Sequence, residues 1–127
     1  MMNKSFRLCL VMMMAALHSC GPSRLEVSDL VAKADPAVVL INSYDENNKP
    51  FSLGSGFVIS EDGLIVTNYH VIKRAVRVEV KLPDNRKFDV TGLVAYQPSI
   101  DYAILKINAS GLASVPMGDD TQLKIGD

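Results

Sequence analysis

Two cysteines and two histidines are all that this chain offers for soft metal ligation. Cys9, His18 and Cys20 crowd the N-terminus and leave His70 alone in the rest of the chain. A zinc site needs three or four such ligands at close spacing, so no metal or other cofactor is expected. Cys9 and Cys20 also cannot staple a core that lies wholly beyond them. Charge of one sign is scarce too: 13 Lys and Arg stand against 14 Asp and Glu. Only Lys73-Arg74 and Arg86-Lys87 cluster, which gives no electrostatic footing for nucleic acid. No apolar run approaches the roughly 20 residues that a membrane-crossing helix requires. Internal repeats and low-complexity tracts are absent as well.

What remains is a chain of 127 residues, 48% hydrophobic, which suits one globular domain. Its first 19 residues read as a lipoprotein-type signal peptide. Lys4 and Arg7 supply a positive start, and residues 8–17 form a short apolar stretch. Leu17-His18-Ser19-Cys20-Gly21 resembles a bacterial lipobox, with Cys20 as the lipidated residue and the membrane as partner through that lipid. His18 departs from the small or apolar residue usual at its place, and an ordinary cleaved signal peptide is the alternative. Lipidation is favoured because Cys20 would otherwise be a lone thiol in an oxidising compartment. Without Lys4 and Arg7, 11 basic residues face 14 acidic ones, a mature net charge near −3. Residues 20–35 are expected to form a tether and a short helix over 28–34, with Ser28 as N-cap and Asp35-Pro36 as its stop.

From there the pattern is that of strands. Residues 37–44 are apolar and β-branched, and a polar loop, 45–50, follows. Residues 51–60 and 64–68 flank Glu61-Asp62-Gly63, a hairpin turn because glycine accepts positive φ. Residues 76–82 alternate with period two, so one face is wet and one is buried. Pro83-Asp84-Asn85 turns the chain into residues 87–96, where Gly92 suggests a bulge or bend. Gln97-Pro98-Ser99 breaks that strand before the nearly continuous apolar run 101–107. Six short strands at this spacing predict an all-β domain, a six-stranded antiparallel barrel.

Two residues carry chemistry. His70 follows Thr67-Asn68-Tyr69 at a strand end, and Asp101 opens the last strand 31 residues later. Imidazole suits general-base work near neutral pH, and a carboxylate can hold it in one tautomer. Taken alone, His70 could be a half-buried strand-end residue and Asp101 a turn residue binding backbone amides. The third member of a triad is missing from the chain. No serine of the chain lies in a glycine-rich turn whose amides could bind an oxyanion. Ser55, between Gly54 and Gly56, precedes His70 and lies within a strand. Ser99, Ser110 and Ser114 lie in ordinary loops.

Four segments in order carry a resemblance: Gly54-Ser55-Gly56-Phe57-Val58-Ile59; Gly63-Leu64-Ile65-Val66-Thr67-Asn68-Tyr69-His70-Val71-Ile72; Asp101-Tyr102-Ala103-Ile104-Leu105-Lys106-Ile107; and Pro116-Met117-Gly118-Asp119-Asp120 with Leu123-Lys124-Ile125-Gly126-Asp127. Together they resemble the HtrA/DegP family of trypsin-like serine endopeptidases. The resemblance implies that residues 36–127 are the first half of a chymotrypsin-like two-barrel protease fold. It gives His70 the role of general base and Asp101 that of its orienting carboxylate. The serine, oxyanion hole and specificity pocket would belong to the second barrel, so the chain as given is expected to be inactive alone. The resemblance further implies unfolded or misfolded proteins as substrates, the cell envelope or periplasm as location, and homotrimeric assembly as an arrangement open to the family. A non-catalytic envelope lipoprotein that uses the barrel as a binding module is the alternative.

Overall fold

The computed structural model describes residues 27–122. The signal peptide, Cys20 and the final motif 123–127 lie outside the described residues. Helix α1, Val27–Ala34, buries none of its side chains and runs directly into a tight 3-10 turn, Asp35–Ala37. Ser28 lies inside α1 and does not precede it, a correction to the expected N-cap. Pro36 fits the start of the 3-10 turn because its fixed φ suits a first helical position. No helix among the described residues is long and apolar enough to cross a membrane.

Six strands follow: β1 Val38–Tyr44, β2 Pro50–Ser60, β3 Leu64–Thr67, β4 Arg77–Lys81, β5 Lys87–Gln97 and β6 Tyr102–Ile107. They close into an antiparallel barrel in the order β1-β2-β3-β6-β5-β4. The fold expectation holds. Closure comes from β1, which pairs with β2 on one side and with β4 on the other, where Leu40 faces Lys81 and Ile41 faces Val80. The register slips between Val90 and Gly92, where the sequence suggested a bulge.

Alternation fills the interior. Val39, Ile41, Val58, Ile65, Val80, Leu105 and Ile107 are buried and form one cluster. Each such side chain contributes roughly 1.5–3 kcal/mol on leaving water. The β2–β3 hairpin is fixed by Gly63, at φ +98 and beneath the backbone of Ile107, whose N–H donates to the Gly63 carbonyl at 3.0 Å. Beyond β6 the chain crosses back beneath the barrel: Leu112 N–H donates to Glu61 O and Val115 N–H to Val58 O.

The outer surface is not uniformly polar. Following the register, Val38 faces Phe57, Phe57 faces Val66, Val66 faces Ile104, and Ile104 faces Ala95. This apolar row crosses five strands, and Phe57 within it is substantially exposed, as are Leu53 and Val94 outside the row.

Candidate active site

After β3 the chain makes a single helical turn, α2, Tyr69–Ile72. Four residues cannot hold a helix by propensity alone, so tertiary contacts must do it. Val71, 4% exposed, plugs the barrel end, and Ser43 Oγ donates to its carbonyl at 2.8 Å in a buried bond. Gly54 makes room for that plug: a β-carbon there would stand 2.5 Å from a Val71 methyl. Gly56 is likewise crowded by Ile41 and the Val66 carbonyl. The Gly54-Ser55-Gly56 segment is therefore explained by packing, and Ser55 between the glycines is exposed in mid-strand.

With Val71 facing inward, its neighbour His70 is turned out at the rim, its side chain 69% exposed. Asp101 reaches the same rim from another direction. The 3-10 turn Pro98–Ile100 ends on Asp101 in the left-handed region, φ 54 and ψ 45. Such a backbone costs an aspartate roughly 1–2 kcal/mol. Hydrogen bonds from the α2 turn, each contributing about 1 kcal/mol, offset it. Tyr69 N–H donates to the Asp101 carbonyl at 3.2 Å, and His70 N–H donates to Oδ1 at 2.8 Å. Tyr69 also stacks on Tyr96 of β5, with ring centroids 5.4 Å apart.

The two residues singled out in the sequence are thus brought together. His70 Nδ1 lies 2.6 Å from Asp101 Oδ2. The His70 imidazole first, and its backbone N–H second, hold the Asp101 carboxyl below the usual carboxylate range. An ionised carboxylate can only accept, so the proton between the pair sits on Nδ1. In the neutral imidazole Nε2 then carries the free lone pair, which is the arrangement a general base needs. An exposed ion pair adds little to stability; what this pair fixes is orientation.

None of the serine hydroxyls makes a hydrogen bond to His70 among the described residues. Ser43 Oγ is turned inward to Val71, Ser60 Oγ donates to Asp62, and Ser99 Oγ accepts from Gln97. A surface hollow among the described residues is lined by Pro36, Val38, Leu40, Ser55, Lys81 and Leu82, with neither His70 nor Asp101 in its wall. The rim pair therefore stands as one open side of a site.

Acid should weaken this barrel in a defined direction. Asp101, Asp62 (bonded to Lys106 and Ser60) and Asp84 (bonded to Arg86) all have carboxyls held below their ordinary range. Groups lowered on folding stabilise the protein above the unfolded-state value and lose that effect as pH falls through the folded-state value. The urea midpoint should therefore fall on going from about pH 5 to pH 2. Asp101→Asn should remove part of that fall. A midpoint that rises as the pH falls across this range would contradict this direction.

Sequence reasoning passed over Asn68 and Tyr96, although both touch the site. The signal for Asn68 was its position beside His70; Tyr96 had none, because only the barrel brings it near.

A family model described as "Trypsin-like peptidase domain" matches residues 54–127. The chain is 36% identical to a "Probable periplasmic serine endoprotease DegP-like" of Marinomonas sp. (strain MWYL1), over 90% of this chain and 33% of that protein. It is 40% identical to an anti-sigma-I factor of Acetivibrio thermocellus, over 71% of this chain and 13% of that one. Among solved structures, it superposes on a serine endoprotease from Yersinia pestis with TM-score 0.70 and 33% identity, covering 82% of this chain and 37% of that chain. The chain thus spans about a third or less of the length of these curated relatives.

Proposed function

Because this chain belongs to the trypsin-like peptidase family, in its HtrA/DegP group, we propose that residues 36–127 are the first barrel of an exported serine endopeptidase. The observation that carries this reading is the 2.6 Å bond from His70 Nδ1 to Asp101 Oδ2, which leaves Nε2 free at an open rim. His70 takes the proton from an attacking hydroxyl and returns it to the leaving amine; Asp101 holds the tautomer and steadies the imidazolium. The hydroxyl and the oxyanion donors come from a second barrel, since no serine in residues 1–127 has a glycine-rich turn around it. The apolar row from Val38 to Ala95 is the face such a barrel would cover.

Substrates of this reading are unfolded or misfolded proteins in the periplasm or envelope, with Cys20 as a lipid anchor and homotrimers as the assembly. These finer assignments rest on the family and on the sequence of the leader.

A fluorophosphonate probe tests the division of labour between barrels. It should leave residues 1–127 unlabelled and label a polypeptide that joins this barrel to a serine-bearing partner barrel. Stoichiometric labelling of Ser55, or of any other serine in this chain, would overturn the assignment.

A further inference from the structure

We propose that Asn68 is a positioning residue whose side-chain amide holds Asp101 in the orientation that presents Oδ2 to His70. The inference deepens the reading of His70 and Asp101 as a catalytic pair and rests on it.

Asn68 occupies the N-cap position of α2, with extended backbone at φ −74 and ψ 138. Asparagine is favoured at such positions because its carbonyl oxygen accepts a backbone N–H of the first turn. Here it makes no side-chain capping bond. Its Nδ2 instead donates across to Asp101, to the backbone carbonyl at 3.2 Å and to Oδ2 at 3.3 Å. Three consecutive residues therefore donate to one: Asn68 and Tyr69 to the Asp101 carbonyl, His70 to Oδ1, and His70 with Asn68 to Oδ2.

The division among them is informative. The His70 N–H fixes Oδ1, but without Asn68 the only donor to Oδ2 among the described residues would be the imidazole that Asp101 has to orient. The amide supplies a second, non-reacting anchor for that oxygen, and the same Nδ2 ties down the left-handed main chain of Asp101. Aspartate would serve about as well as a cap. Only a side chain with a donor suits Oδ2, and a carboxylate there would repel it.

Asn68→Ala and Asn68→Asp separate this role from capping. In the full chain, NMR would follow the Asp101 carboxyl titration and the exchange of the His70 Nδ1 proton, with the Ile107 amide reporting an intact barrel. Asn68→Ala should move the Asp101 midpoint upward and speed Nδ1 proton exchange by about tenfold, the factor given by one hydrogen bond to a charged group. Asn68→Asp, almost the same shape but without a donor, should move the midpoint further. A capping role predicts the opposite order, with Asn68→Asp like the wild type and Asn68→Ala worst. That order, or no change in either variant, would overturn the proposal. If Asn68→Ala fails to fold, Asn68→Asp alone decides. Failure of the underlying pair looks different: Asp101→Asn would then leave the His70 signals of the wild type unmoved.

Discussion

Asp101→Asn, made in a polypeptide that joins this barrel to a serine-bearing partner barrel, is expected to lower kcat about ten-thousand-fold. The structure gives the reason atom by atom. Oδ1 accepts the backbone N–H of His70 at 2.8 Å, a bond that asparagine keeps only by pointing its own carbonyl oxygen there. Its NH2 group must then face Nδ1, where the carboxylate Oδ2 now sits at 2.6 Å. An amide N–H facing Nδ1 forces that nitrogen to accept and moves the ring proton to Nε2. The imidazole is held in place but in the wrong tautomer, unable to take a proton from the serine. KM should change little, because the carboxyl orients the base and does not bind substrate. Steady-state kinetics on a peptide substrate would measure this, and a loss smaller than tenfold would remove Asp101 from the mechanism.

Gly63→Ala is the substitution expected to cost the most stability, about 3 kcal/mol. Two penalties coincide. At φ +98 an L-residue is strained wherever it sits, and a β-carbon would lie 2.6 Å from the Ile107 carbonyl oxygen and 2.9 Å from its side chain. Neither neighbour can yield easily. Ile107 is fully buried, and its own N–H is bonded to the Gly63 carbonyl. Against a typical domain stability of about 5–15 kcal/mol, the loss is large enough to read as a clear drop in the urea midpoint. A shift below about 1 kcal/mol would show that the hairpin can re-form around a side chain. Gly92→Ala makes the control, since the nearest atom to a β-carbon there is 4.0 Å away.

Gly63 also shows what kind of structure could be read from the sequence. A glycine between two apolar runs, after Glu61 and Asp62, has a local meaning, as do Pro83-Asp84-Asn85 and the bulge at Gly92. Each strand was legible for the same reason: alternation and turn chemistry act over a few residues. Closure was not. Pairing Leu40 with Lys81 joins residues far apart in the chain, and no local pattern names that partner. The rim shows the same split. The residue types of His70 and Asp101 stood out in sequence, but not the left-handed turn that aims the carboxylate, nor the stack of Tyr69 on Tyr96.

Closure also decides how this barrel would misbehave if left uncovered. With β1 hydrogen-bonded on both flanks, the cylinder offers no bare strand among the described residues on which another chain could add itself, so fibre-like growth lacks a template there. Its liability is greasy contact through Phe57, Leu53 and their neighbours, a clumping that mild detergent would reverse while every strand stayed in place.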